Sequence, residues 1–134
     1  MATYKEFEKF VRGKFPVKDT PKDAPKGLMC IEVPCGDDRS HLVFISHGNS
    51  HERQGDIADV VAMFGEISGK KLEQALEACF DLPLGGLIRF GDTIALRHGL
   101  PLADVDESEI GKAIFLVAFG ADRLERKFVG GDKY

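Results

Sequence analysis

The chain has no apolar run that approaches the ~20 residues of a membrane-spanning helix. Its N-terminus also lacks the basic and then apolar pattern of a secretion signal, and no segment of the sequence repeats. These absences argue against a membrane span and against a repeat architecture. The length of 134 residues suits one domain with a substantial core. We therefore expect a single domain over residues 1–134, located in the cytoplasm.

Negative charge outweighs positive charge outside the N-terminal segment. The net charge of the whole chain is −4, and it divides into +3 for residues 1–26 and −7 for the remainder. A surface that binds nucleic acid concentrates positive charge against the phosphates. The acidic body argues against such a surface, and acidic residues and prolines interrupt the basic segment. We therefore expect no nucleic-acid partner.

The sequence contains no arrangement of residues typical of catalysis. Ser46-His47 and Ser50-His51 are neighbours in sequence, but neither serine lies in the strand-turn-helix elbow that presents a nucleophile. Gly85-Gly86 enters a strand instead of opening a helix, so it does not match a phosphate-binding loop. The sequence therefore predicts no catalytic residue and no enzymatic activity.

Metal-ligating residue types are present, but they do not form a ligand set. Cys30 and Cys35 would lie about 16 Å apart on an extended strand and point to opposite faces, which is beyond the reach of a disulfide. His41 and His47 share a face of their strand but lie about 20 Å apart. His47 and His51 could meet across a loop, yet two imidazoles do not complete the four ligands of zinc. We expect reduced thiols, surface histidines and no metal or other cofactor.

Residues 64–128 carry most of the structural information. Ser68 is a candidate N-cap for a short amphipathic helix, and Gly85-Gly86 follow the end of this helix. Two strand-like runs, 87–90 and 93–100, are joined by Gly91-Asp92, which tolerate positive φ in a tight hairpin. A two-residue loop would pair Leu87 with Leu96 and Ile88 with Ala95.

A long final helix is predicted over residues 107–128. Asp106 and Glu109 match the capping-box pattern at its start, and its length would be about 33 Å. One stripe of apolar residues follows the helical period: Ile110, Ala113, Ile114, Val117, Ala118, Ala121 and Leu124.

The first half predicts a helix over 3–15, capped by Thr3, and strands near 28–33 and 41–46. Residues 57–66 suit either a helix or a strand. The β-branched pairs and the following Gly65 favour the strand. Residues 16–27 are rich in proline and lysine and read as an exposed connector, and residues 129–134 as a short tail.

From Asp56 onward, the order of elements resembles the type III secretion chaperone fold, which YbjN-like bacterial proteins share. The resemblance rests on residues 63–67 as a strand end, 72–80 as a middle helix, Gly85-Gly86 and the hairpin up to residue 102, and 105–107 opening the last helix. It implies an α+β domain of order α-β-β-β-α-β-β-α. One five-stranded, mainly antiparallel sheet would be flanked by helices.

The sequence holds more apolar residues than one layer of helices on one sheet face can bury. A surplus of this kind is typical of an interface. We expect a homodimer, and the resemblance implies a small acidic protein that holds a partner segment through apolar grooves and strand addition. The candidate partner- or dimer-binding residues are Leu76, Phe80, Ile88, Phe90, Phe115, Leu116 and Phe119.

Two functions therefore stay open at this point. The leading one is a non-enzymatic protein-binding module that resembles a type III secretion chaperone or a YbjN-like regulator. The alternative is a small-molecule- or metal-binding protein, with an enzyme included, that uses His47, His51 or His98. His98 belongs to this alternative because its strand face also carries apolar residues.

Overall fold

The computed structural model describes residues 3–50, 52, 55–131 and 133–134. In this part of the chain, three α-helices and six β-strands form an α+β fold with an open antiparallel sheet. The α-helices are α1 (Tyr4–Lys14), α2 (Gly69–Ala78), which a 3₁₀ turn at Cys79–Asp81 continues, and α3 (Glu107–Phe128). The strands are β1 (Val17–Lys18), β2 (Met29–Gly36), β3 (Arg39–His47), β4 (Ile57–Gly65), β5 (Gly86–Phe90) and β6 (Thr93–Pro101).

The sheet has six strands in the order β1-β2-β3-β4-β6-β5, so the prediction of five strands is wrong. The additional strand is β1, which lies in the segment predicted to be an exposed connector. Val17 pairs with Ile31, and Lys18 pairs with Cys30. The Lys18 ammonium lies 3.0 Å from the carboxylate of Glu32. A two-residue strand is too short to show any periodicity in the sequence, which is why the pattern did not indicate it.

The other strands follow the predicted pattern closely. Residues 57–65 form β4 rather than a helix. The β5–β6 hairpin pairs Leu87 with Leu96 and Ile88 with Ala95, as a two-residue loop requires. The turn between β2 and β3 places Asp37 and Asp38 at φ values of 51° and 58°. Two successive positive φ values match the right-handed twist of a tight hairpin, and aspartate tolerates them better than most residues.

The core lies between the sheet and α3, which packs across β2, β3, β4 and β6. Asp106 and Glu109 form the predicted capping box, and α3 spans residues 107–128 as expected. Every residue of the predicted apolar stripe is buried. α3 approaches the sheet closely at Gly120, where an added Cβ would lie 2.8 Å from a methyl carbon of Leu96. A larger residue at this position would push the helix away from β6.

α1 packs on the same side of the sheet as α3. Thr3 caps it by accepting a hydrogen bond from the backbone N–H of Glu6. The Tyr4 hydroxyl donates to the carbonyl of Gly27 at 2.6 Å, and its ring stacks on His47 with centroids 4.8 Å apart. Near the other end of α1, Phe15 contacts a ring of α3. All three helices therefore lie on one side of the sheet, because α2 packs beside α3.

Among the described residues, no helix combines the length and the apolar composition that crossing a bilayer requires.

Candidate functional site

The sheet face turned away from the helices, here called the outer sheet face, carries apolar side chains. Residues that pair across neighbouring strands lie on the same face of a sheet. Phe44 pairs with both Cys30 and Val61, and Met63 and Ile88 both pair with Ala95, so these side chains lie on the outer sheet face. In the described part of the chain no helix covers this face. A depression of about 290 Å³ on it is lined by Leu28, Phe44, Ser46, Val61, Met63 and Phe90.

The outer sheet face extends to an open strand edge. Within the described chain, β5 is the last strand in the sheet order and pairs with β6 alone. The backbone N–H and C=O groups on its other side therefore face no strand of this sheet, and such groups can pair with an extended segment of another chain. Of the predicted binding residues on β5, Ile88 is partly buried, and Phe90 is exposed to 54%.

A second apolar surface lies on α2 and its 3₁₀ extension and is here called the α2 patch, Leu76 and Phe80. Leu76 is exposed to 54% and Phe80 to 93%. Ala75 is the one residue of α2 that is fully buried. A phenylalanine ring left almost entirely in water loses the full benefit of apolar burial, which makes it a strong indicator of a missing contact.

A third apolar surface, the α3 patch, consists of Phe115, Leu116 and Phe119. Their exposed fractions lie between 36% and 43%. The rings of Phe115 and Phe119 stack with centroids 5.8 Å apart, and the Phe115 ring also lies 6.0 Å from that of Phe15, the residue after α1. The structure thus separates the predicted binding residues into three surfaces.

A buried ionic cluster, which the sequence analysis missed, joins β3 to α3. Arg39 Nε donates to both carboxylate oxygens of Asp122, at 3.0 and 3.1 Å. Arg39 Nη2 lies 2.9 Å from Asp122 Oδ1 and 3.2 Å from Glu125 Oε1. Arg126 Nε adds a contact to Asp122 Oδ2 at 3.3 Å. Charged groups buried in this way must be paired, because an isolated charge in a low-dielectric interior is very unfavourable.

His41 belongs to this cluster, so the expectation that it lies on the surface is wrong. The side chain is fully buried. It points inward because alternate residues of a strand lie on the same face, and Val43 and Ile45 on this face of β3 are also fully buried. That alternation was visible in the sequence and could have placed His41 inside. Asp122 and Glu125 were harder to detect, although each follows a buried alanine of the α3 stripe by four residues.

The two ring nitrogens of His41 have different surroundings. Nε2 lies 2.6 Å from the carbonyl oxygen of Met63. Because a carbonyl only accepts, Nε2 carries a proton in this contact, and an unprotonated Nδ1 would present a lone pair. Nδ1 is buried and has no hydrogen-bond partner among the residues that the structure describes. The nearest charged atoms are Asp122 Oδ1 at 3.8 Å and Glu125 Oε1 at 3.9 Å.

The predicted C-terminal tail returns to the same cluster. The backbone N–H groups of Lys133 and Tyr134 donate to Glu125 Oε2 at 3.0 and 3.1 Å. The carbonyl of Tyr134 accepts from Leu42 of β3 at 3.4 Å. Glu125 therefore uses one oxygen for Arg39 and the other for the tail.

His47 takes part in a more exposed group around Asp56, where α1 meets the start of β4. Asp56 accepts hydrogen bonds from the backbone N–H of Tyr4 at 2.8 Å and from the hydroxyl of Ser50 at 3.1 Å. His47 Nε2 lies 3.5 Å from the same carboxylate. The hydrogen bond from Tyr4 is the main reason that the pKa of Asp56 is below its usual value. The group fastens the N-terminus of α1 and does not align a serine with a histidine, as a catalytic triad would.

The structure does not bring the predicted histidines together. His98 pairs with Val60, whereas His47 pairs with Ala58, so β4 lies between the two side chains. Burial is the main reason that the pKa of His98 is below its usual value. His51 lies outside the residues that the structure describes.

The thiols of Cys30 and Cys79 lie in surroundings that disfavour the thiolate. Burial is the main cause that raises the pKa of both. A thiol with a raised pKa is a poor nucleophile and a poor ligand at neutral pH.

Comparison of the chain with protein-family models, with curated proteins and with solved structures gives no match. The resemblance to type III secretion chaperones and YbjN-like proteins therefore has neither support nor contradiction from known relatives. What this chain does must be inferred from its own surfaces.

Proposed function

We propose that this chain is a non-enzymatic protein-binding module that associates with a second copy of itself and holds a segment of a partner protein. The observation that carries the proposal is the exposure of large apolar side chains on three separate surfaces. Single exposed apolar residues are ordinary, but clustered aromatic rings on a small domain are typical of interfaces. The resemblance in element order to type III secretion chaperones is consistent with this function.

The two binding roles fall on different surfaces in this proposal. The α2 patch joins two copies, because Leu76 and Phe80 project into solvent from one short helix and its 3₁₀ extension. The outer sheet face takes the partner segment, because an apolar depression lies close to the open edge of β5. An extended segment could then pair its backbone with β5 and insert alternate side chains among Phe44, Met63 and Phe90.

Quantitative capture of partners from an extract of the native cells tests the second role. Ile88→Glu places a charge on β5, at the edge of the proposed partner surface. Arg89→Gln is the matched control, because it changes the net charge by the same amount on the same strand, and the Arg89 side chain is exposed. We expect the wild type and Arg89→Gln to capture the same protein in equal amounts. The affinity of folded Ile88→Glu for that protein should fall at least about tenfold, since an apolar anchor contributes roughly 2 kcal/mol or more to the free energy of binding.

Moderate salt should leave that binding largely intact, because apolar contacts and main-chain pairing are screened little. Equal capture by Ile88→Glu, with circular dichroism showing that it folds, would contradict the assignment of the outer sheet face. Failure of the wild type to capture anything, together with a shift of several degrees in its melting temperature by a small metabolite, would favour the small-ligand alternative.

A further inference from the structure

We propose that His41, Asp122 and Glu125 form a binding site for a divalent transition-metal ion such as zinc. The proposal is independent of the protein-binding function. It also departs from the expectation that the chain binds no metal. That expectation rested on the spacing of histidines and cysteines and did not include the two carboxylates of α3.

The unpartnered nitrogen of His41 is the first observation behind this site. The carboxylate of Asp122 pairs with Arg39 and Arg126. The carboxylate of Glu125 pairs with Arg39 and accepts hydrogen bonds from the C-terminal tail. None of them provides a donor for His41 Nδ1. A buried acceptor without a donor is unfavourable by about 1–3 kcal/mol, and such a group in a native protein requires an explanation. A lone pair directed at two carboxylate oxygens is suited to a cation.

The geometry of the three donors is the second observation. His41 Nδ1 and one carboxylate oxygen from each of Asp122 and Glu125 all lie within 4.8 Å of one another. Zinc binds nitrogen and oxygen at about 2.0–2.2 Å, so tetrahedral ligand atoms lie roughly 3.4 Å apart. The distances of 3.8 and 3.9 Å from Nδ1 to the two oxygens therefore need to shorten by only a few tenths of an ångström.

The surroundings of the donors match those of known metal sites. A histidine that ligates a metal usually donates its other ring N–H to a carbonyl or carboxylate, and His41 does so to Met63. Ligating carboxylates are usually held by hydrogen bonds as well. The backbone N–H groups of Lys133 and Tyr134 hold Glu125 in this way.

The chemistry of the donors selects the type of ion. One imidazole and two carboxylates suit zinc and related transition ions, whereas Mg²⁺ and Ca²⁺ prefer oxygen ligands alone. Three protein ligands leave a fourth tetrahedral position for water or another small ligand.

Arg39 is expected to compete with the ion. Its Nη2 contacts the same two oxygens, Asp122 Oδ1 and Glu125 Oε1, that face His41. In the metal-free protein the guanidinium neutralises these carboxylates, and a divalent ion would repel it. The Arg39 side chain, exposed to 16%, is also the most accessible of these four. The ion would therefore enter beside Arg39, and removal of that positive charge should strengthen metal binding.

Zinc titration of chelator-treated protein without a histidine tag tests the site. We expect the wild type to bind one equivalent of zinc and to melt at a higher temperature with zinc but not with magnesium. His41→Gln keeps an amide donor for the Met63 carbonyl but removes the imidazole lone pair, so zinc affinity should fall by at least about 100-fold. His47→Gln, the control at a histidine outside the site, should bind zinc as the wild type does. Arg39→Gln should bind it more tightly.

The proposal is wrong if the wild type binds no zinc at millimolar concentration, or if folded His41→Gln binds it as the wild type does. Should His41→Gln fail to fold, nitrogen NMR of the wild-type imidazoles replaces it. Zinc should then shift the Nδ1 signal of His41. A zinc-induced shift confined to His47 or His98 would overturn the assignment.

Discussion

At the scale of single residues, Asp56 shows how one carboxylate can organise a junction between elements. It accepts hydrogen bonds from the N-terminus of α1 and from Ser50, and its own carbonyl accepts from Leu102. Tyr4, whose N–H it binds, also reaches Gly27 with its hydroxyl. The first turn of α1 is therefore fixed both to the residue before β4 and to the segment that precedes β2.

The lowered pKa of Asp56 predicts a pH dependence of stability. The folded protein favours the ionised carboxylate, mainly through the hydrogen bond from Tyr4. The resulting stabilisation is complete above the pKa of the unfolded chain, about 3.9, and disappears as the pH falls through the lower pKa of the folded state. We expect Asp56→Asn to be less stable than the wild type at pH 7. Urea unfolding should show the two converging below about pH 4.

A constant difference between the two proteins from pH 7 to pH 2.5 would contradict this role of Asp56. Asp92→Asn provides the control, because Asp92 is exposed to 85% on the β5–β6 turn and makes one weak ion pair with Arg89. Its removal should change stability little at any pH.

At the scale of elements, the buried ionic cluster fastens α3 to β3. Asp122 contributes most contacts, to Arg39 through both oxygens and to Arg126. Asp122→Asn would remove the charge that pairs with Arg39 through both carboxylate oxygens. Loss of one partner from a buried pair is unfavourable by about 3–5 kcal/mol, so the midpoint of urea unfolding should fall sharply.

Glu77→Gln is the control for Asp122→Asn. Glu77 is exposed on α2 and undergoes the same change of charge. The free energy of unfolding of Glu77→Gln should stay within about 0.5 kcal/mol of the wild-type value. A loss below about 1 kcal/mol for Asp122→Asn would show that the cluster contributes little to holding α3 against β3.

The elements that the sequence predicts well are those with strong local signals. α3 has a capping box, a long apolar stripe and helix-forming residues, and its bounds agree with the structure. The β5–β6 register follows from the length of its loop. Elements that depend on distant partners were missed. β1 exists because Val17 and Lys18 meet β2, and neither residue has a pattern of its own.

The candidate sites follow the same rule. The exposure of the α3 patch was predictable, because its residues lie off the buried stripe of α3. The exposure of Leu76 and Phe80 was not, because both lie on the apolar stripe of α2 and its extension, together with buried Ala75. The buried ionic cluster was not, since it joins residues 39 and 41 to residues 122 and 125 across the whole fold. A single sequence gives no signal for pairs so far apart, and a carboxylate on a helix is ordinarily expected to face solvent.

At the scale of the whole molecule, the fold is one-sided. The helices of the described chain pack on one face of the sheet and leave the outer sheet face, with half-buried Phe44 and Met63 and exposed Phe90, without a covering helix. The α2 patch adds a ring that is almost wholly exposed. Burial of such rings contributes about 1.5–3 kcal/mol each. A second copy of the chain offers the same apolar surfaces in return, which favours a symmetric pair.

The central claim is that the exposed apolar surfaces are interfaces, and the molar mass in solution tests it most directly. Light scattering coupled to size exclusion should give about twice the chain mass of 14.7 kDa at micromolar concentration. Leu76→Glu should give the monomer. The control Gln74→Glu, an equal charge change at an exposed neighbour on α2, should remain a dimer. A wild type that is monomeric at every concentration would contradict the claim.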